Sequence, residues 1–204
     1  MKDTYKTIVK PSKEVLFKDK NSKFFGYAFP VISEDEVKVH LEDIKKKHHQ
    51  ARHWCYAWQI GKDEEHRQFR ANDDGEPSNS AGMPIYGQIQ SFDVTDILIV
   101  VVRYFGGVKL GVGGLIRAYK TAAQMALENS KIVKRTIDEN FEIHFDYPEM
   151  NIVMRIIKEN NLSVIEQDLG LDCKIYISVR KKEAENIFEK FQAVYKVEIK
   201  KIEG

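Results

Sequence analysis

Arg103-Tyr104-Phe105-Gly106-Gly107-Val108-Lys109-Leu110-Gly111-Val112-Gly113-Gly114-Leu115-Ile116-Arg117-Ala118-Tyr119 is the stretch on which the reading of this chain turns. Five of the chain's 12 glycines fall between positions 106 and 114. Ahead of them, residues 97–102 are six consecutive aliphatics, the pattern of a strand buried on both faces. Behind them, an amphipathic spacing predicts a helix over 114–129. A strand, a glycine loop and a helix start bring backbone N–H groups close to an anion, because glycine has no Cβ and takes positive φ. The helix end adds its positive dipole pole. The candidate anion or nucleic-acid site is therefore Arg103, Tyr104, Gly106, Gly107, Lys109, Gly111, Gly113, Gly114 and Arg117. The same glycines equally suit a tight connection packed against neighbouring backbone. Known nucleotide loops do not fit. A P-loop needs Lys where Val112 stands, and G-x-G-x-x-G fails at Ile116.

Working towards the N-terminus, residues 54–60 read as an aromatic-rich strand and 67–71 as its hairpin return. Residues 73–77 are loop, and Ser80 is placed to cap a helix over 80–90. Further back, 14–17 and 24–31 read as strands around a polar turn, and the element before Glu14 is undefined. Ser33 followed by Glu36 is a capping-box pattern opening a helix with Val37, Leu41, Ile44 and His48 on one face. Lys45, Lys46, Lys47, His48 and His49 close it, where cations suit the dipole.

Towards the C-terminus, the polar stretch 133–139 breaks the pattern, so a boundary is expected there, with domains of residues 1–135 and 136–204. The second part is regular. Phe141, Ile143, Phe145 and Tyr147 alternate, Pro148 suits a first helical turn, and Ile152, Val153, Ile156 and Ile157 form an apolar face. Residues 162–169 read as a strand. Leu171, Cys173, Ile175, Ile177 and Val179 alternate. Ala184, Ile187, Phe188 and Phe191 mark a helix, and Tyr195, Val197 and Ile199 a last strand. The order β-α-β-β-α-β is that of a ferredoxin-like sandwich, and the fold class expected is α+β.

The 204 residues, 43% hydrophobic, can bury cores. No apolar run approaches about 18 residues, and the N-terminus lacks the apolar stretch of a signal peptide. Cys55 and Cys173 lie far apart, so the expectation is a cytoplasmic protein with reduced thiols and no membrane contact. Net charge is +1, but residues 1–135 carry 22 Lys and Arg against 17 Asp and Glu, and residues 136–204 carry 10 against 14. Any anion-binding face belongs to the first part.

Three further groups bear on chemistry. Asp73, Asp74 and Glu76 suit Mg²⁺ by residue type, or else cap a turn and pair with Arg103 or Arg117. His53 and Cys55 share one strand face, as a Cys–His pair or metal ligands would, or as a core thiol beside a hydrogen-bonded imidazole. Trp54, Tyr56 and Trp58 share the other face, as a base-stacking platform or as core. There is no nucleophile elbow and no H-E-x-x-H. The reading is a non-catalytic protein with no cofactor and no metal.

The glycine stretch is similar to the signature of the IMPACT/YigZ family. Asp73-Asp74-Gly75-Glu76-Pro77-Ser78-Asn79-Ser80-Ala81-Gly82-Met83-Pro84-Ile85 resembles its second block, with Asn79 for the usual glycine and Ser80 for threonine. Weaker matches are Lys20-Asn21-Ser22-Lys23-Phe24 and Ala51-Arg52-His53-Trp54-Cys55-Tyr56-Ala57. Serine keeps the hydroxyl, and Asn tolerates a left-handed turn. The resemblance implies a first half like the second domain of ribosomal protein S5, a ferredoxin-like second half, and a link to translation. Eukaryotic IMPACT proteins modulate the kinase response to amino-acid starvation by competing for a partner protein. RNA or the ribosome is the partner expected through the basic loop, with His53, Asp73, Asp74, Glu76 and Ser80 in support. The alternatives are a phosphate- or nucleotide-handling enzyme and a pure protein–protein module binding through the Trp54 face. Oligomeric state is not legible.

Overall fold

A computed structural model of the chain describes residues 3–170 and 172–202. Leu171, read as the first alternating position of its strand, lies outside them. The described residues are mixed α and β, and they divide into two compact units: residues 4–135, and residues 136 onward together with Asp3.

The first unit is built on the antiparallel sheet β2-β3-β6-β4-β5. Its strands are β2 (Val15–Asp19), β3 (Ser22–Pro30), β4 (His53–Ile60), β5 (Gln68–Asn72) and β6 (Ile97–Tyr104). β6 is central, which explains its unbroken aliphatic run. Ile97, Ile99 and Val101 face one buried cluster, and Leu98, Val100 and Val102 face another. On the first face lie α2 (Gly82–Ser91) and α3 (Gly111–Glu128); on the second lies α1 (Glu34–Lys47). The α1 N-terminus forms as its pattern predicts, with Ser33 Oγ accepting from Glu36 N–H at 3.3 Å. Glu36 reaches back one residue further than a capping box requires, accepting from Ile32 N–H at 2.8 Å.

Three local readings need correction. The undefined N-terminal element is a strand, β1 (Thr4–Ile8), and the polar stretch where the boundary is expected overlaps its partner, β7 (Ile132–Thr136). Helix α3 starts at Gly111, three residues before the position read from the apolar spacing. Ser80 does not cap α2: its hydroxyl donates to Pro77 C=O at 2.6 Å. Asp73 performs that task from the preceding loop. Its Oδ1 accepts from Ala81 N–H and Gly82 N–H at 3.0 and 2.8 Å, and Oδ2 from Asn79 N–H at 2.8 Å.

The second unit runs β8 (Asp138–Asp146), α4 (Met150–Glu159), β9 (Ser163–Leu169), β10 (Asp172–Arg180), α5 (Lys181–Gln192) and β11 (Val197–Ile202). Its sheet is antiparallel throughout, in the order β11-β8-β10-β9. The alternating residues Phe141, Ile143, Phe145, Cys173, Ile175, Ile177 and Val179 are buried with Val153, Ile157, Ala184, Ile187 and Phe191 of the two helices. Tyr195, read as part of the last strand, precedes β11 and is exposed.

Candidate functional site

The site is a cavity of about 700 Å³ at one end of β4 and β6, roofed by the loop into α3. Arg52, His53, Arg103, Tyr104, Lys109 and Gly111 are among its lining residues. Two backbone features shape the loop. Gly106 packs against the β2–β3 turn so closely that a Cβ there would lie 2.1 Å from the Asn21 carbonyl carbon. Gly107 then takes φ +86°, which only glycine holds without strain. Helix α3 opens with Gly111 at φ +71°, and no side chain caps it. Its first turn therefore presents N–H groups and the positive dipole end at the cavity wall.

The predicted basic residues separate into different roles. Lys109 lines the cavity, exposed and with no ion pair among the described residues. Arg103 reaches it too, but its charge is already met. Nη1 donates to Glu76 Oε1 at 2.7 Å, the two side chains being 8% and 4% exposed. Register explains the pairing. Arg103 stands between Phe24 and His53 on neighbouring strands, its side chain on the face covered by α2 and α3, with its guanidinium over the Phe24 and Phe105 rings. Arg117 turns away. Nη2 donates to Asp19 at 3.2 Å, neither facing the cavity nor meeting Glu76. Of the glycines, Gly111 lines the cavity, whereas Gly106, Gly107, Gly113 and Gly114 do not, and Gly106 N–H donates to Ser22 Oγ at 3.1 Å. The site is thus smaller than the predicted set. It also gains Arg52, which neither spacing nor motif singled out as a ligand.

All three carboxylates of the acidic loop serve the fold. Asp73 caps α2. Asp74 Oδ2 accepts from Trp54 N–H at 2.7 Å. Glu76 Oε1 takes both Arg103 and the Tyr119 hydroxyl, the latter at 2.7 Å. Asp74 and Asn79 occupy left-handed conformations, φ +41° and +59°, so the Asn found in place of glycine keeps the turn.

His53 and Cys55 do share a face, but they do not bond each other. His53 Nδ1 donates to Asp74 C=O at 2.8 Å, and the residue lines the cavity. The Cys55 thiol is buried, donates to Asp73 C=O at 3.0 Å, and has its pKa pushed up by burial. That environment suppresses the thiolate a nucleophile needs. Trp54, Tyr56 and Trp58 pack beneath α1, Lys45 lying 5.7 Å over the Trp54 ring, so the aromatic stripe is core and not a stacking platform. Tyr104 is half-buried, edge-on to Phe25, with its hydroxyl 3.0 Å from His48 Nδ1.

Fold and site together define a two-unit mixed α/β protein with a cavity lined by Arg52, Lys109 and the Arg103–Glu76 pair at an uncapped helix N-terminus. The family profile described as the Impact N-terminal domain matches residues 20–127. An IMPACT family member of Haemophilus influenzae is 32% identical over 180 residues, 86% of each chain. The IMPACT family member YvyE of Bacillus subtilis is 35% identical over 162 residues, 79% of this chain and 74% of its own. The chain belongs to the IMPACT family. A solved structure titled as that of a hypothetical protein covers 100% of this chain and 99% of its own, with TM-score 0.73 at 24% identity, a likeness of fold. Among the described residues, no helix is long and apolar enough to cross a membrane.

Proposed function

We propose that this protein is a non-catalytic, translation-linked binding or regulatory protein that contacts RNA or the ribosome through the cavity at the start of α3. One observation carries the reading: the loop's carboxylates are consumed inside the fold while the cations at the cavity mouth are not. Asp73, Asp74 and Glu76 are engaged by backbone N–H groups, Arg103 and Tyr119. Lys109, Arg52 and the first turn of α3 remain to meet an anion. Family membership supports the link to translation. The first unit, with one helix on one sheet face and two on the other, suits the S5-like domain implied by the resemblance. The second unit's strand order suits a ferredoxin-like domain. On this reading the domains are residues 1–135 and 136–204, and the protein is cytoplasmic.

Fluorescence anisotropy of labelled single-stranded RNA at several salt concentrations tests the proposal. With Arg52 and Lys109 in contact, log affinity falls against log salt with a slope of about −1.4, at about 0.7 per phosphate neutralised. Lys109→Ala lowers the slope by about one contact. A folded protein that fails to bind RNA at low salt overturns the reading. A protein partner is the second reading, favoured by the exposed apolar residues Phe105, Val108 and Val112 around the same loop. It replaces the Trp54 face, which α1 covers. Partners captured from lysate in an RNase-resistant manner, and lost in Phe105→Ser, would favour it.

A further inference from the structure

A hydrogen-bonded chain on the α1 side of the sheet ends at Tyr104, one of the residues that line the cavity. Lys47 Nζ donates to Glu14 Oε2 at 2.8 Å, and the Tyr27 hydroxyl donates to the same oxygen. His48 Nε2 lies 2.5 Å from the Tyr27 oxygen, and His48 Nδ1 lies 3.0 Å from the Tyr104 oxygen. The proton positions follow from counting. Glu14 is ionised, since the bonds from Lys47 and Tyr27 hold its carboxyl below its ordinary range. The single hydroxyl hydrogen of Tyr27 is therefore spent on Glu14. His48 Nε2 must then carry a proton and donate to the Tyr27 oxygen. A neutral imidazole has one N–H, so Nδ1 holds a lone pair and accepts the Tyr104 O–H.

We infer that His48 is a positioning residue that sets the hydrogen-bonding polarity of Tyr104 at the cavity wall. With His48 neutral, the Tyr104 hydrogen points inward, and its oxygen offers only lone pairs to a ligand. A proton added from solvent goes to Nδ1, which then donates to the Tyr104 oxygen and turns the hydroxyl hydrogen outward. The cavity gains a donor for an anion as pH falls. Four titratable or charged groups meet His48: Glu14 from the segment before β2, Tyr27 of β3, Lys47 of α1 and Tyr104 of β6. The Phe25 ring packs 5.1 Å from the imidazole and closes that side. Burial lowers the His48 pKa, so the neutral form holds at neutral pH. The consequence for a ligand rests on the cavity reading proposed above; the relay does not.

Two measurements on the full chain separate these. The first is long-range ¹H–¹⁵N spectroscopy of ¹⁵N-histidine protein, with His48 assigned by its loss in His48→Gln. It should show Nε2 protonated and Nδ1 bare at pH 8. Tyr104→Phe should shift Nδ1 while keeping the tautomer. A protonated Nδ1 at pH 8 overturns the relay. The second is sulfate titration at pH 8 and at a pH where His48 has titrated; sulfate keeps its charge throughout. The wild type should gain about tenfold more affinity on acidification than Tyr104→Phe, the worth of one hydrogen bond to a charged group. Equal gains overturn the role of Tyr104. An absence of sulfate binding at both pH values counts against the cavity reading, and the tautomer then decides the relay by itself.

Discussion

Replacing Glu76 by Gln isolates what the buried ion pair contributes. Glu76 and Arg103 are 4% and 8% exposed in their side chains and 2.7 Å apart, so both charges have lost most of their water. Gln is nearly isosteric and still accepts from the Tyr119 hydroxyl, but it leaves the guanidinium uncompensated. Breaking one side of a buried pair costs about 3–5 kcal/mol, and the retained amide oxygen puts Glu76→Gln near the lower end, about 3 kcal/mol. Glu76→Ala also orphans Tyr119, whose hydroxyl is buried and donates at 2.7 Å. That adds about 1–3 kcal/mol. Urea unfolding followed by tryptophan fluorescence is the assay. The chain's 2 tryptophans, Trp54 and Trp58, both lie in the first unit, so the signal reports that unit. With a slope of about 2 kcal/mol per molar, Glu76→Gln should lower the midpoint by about 1.5 M. Adding Arg103→Met removes the stranded charge and should restore much of the loss. A midpoint drop worth less than about 1 kcal/mol, or no recovery in the double variant, refutes the buried-pair reasoning and returns Arg103 to the anion site.

Asp73→Ala strips α2 of its remote cap and should cost about 2 kcal/mol, with Asp73→Asn costing less; urea midpoints compare them. Gly106→Ala places a methyl 2.1 Å from the Asn21 carbonyl carbon, so the melting temperature should fall by an amount equivalent to about 3 kcal/mol, or soluble protein should be lost. Arg117→Ala, at an ion pair whose guanidinium is exposed, should change stability by less than about 1 kcal/mol. His48 has its pKa lowered by burial, so the unfolded chain binds the extra proton first as pH falls. Its stabilising contribution is complete above the ordinary imidazole pKa of about 6.5 and is lost as pH drops through the folded value. His48→Gln should flatten the acid limb of a urea-midpoint profile.

What could be read from the sequence was local. Six aliphatics in a row announce β6 because an antiparallel strand with helices on both faces has no solvent side. Ser33 and Glu36 announce α1 because a cap acts across three residues. The alternation of Phe141 to Phe145 and Cys173 to Val179 marks the second unit's central strands, since one face of that sheet is buried. What escaped depends on distance in the fold. Ser80 holds the expected cap position, yet Asp73 reaches two α2 amides from the loop, which no local pattern encodes. The strands β1 and β7 are short, and they pair across most of the first unit's sequence, so neither shows a period. Arg103 looked like a ligand because it begins the glycine motif. Its fate was set by strand register, which aims it at Glu76.

The same bookkeeping of partners defines the surface that remains for function. Arg103, Lys109 and Arg117 are alike in sequence, but register seals Arg103 against Glu76, and the α3 axis carries Arg117 to Asp19. Of the three, Lys109 alone lines the cavity without an ion pair among the described residues, since Asp73, Asp74 and Glu76 are bonded within the fold. The buried Glu76 is therefore part of how the site is made. It accepts from both Arg103 near the end of β6 and Tyr119 of α3, so it ties the strand before the loop to the helix after it. From there Gly107 and Gly111, both at positive φ, turn the chain so that α3 begins uncapped at the cavity wall. An uncapped N-terminus on an 18-residue helix leaves its first N–H groups without intrahelical partners. On the proposed reading, those groups lie beside Lys109 and Arg52 at the cavity wall and are what an anion would meet.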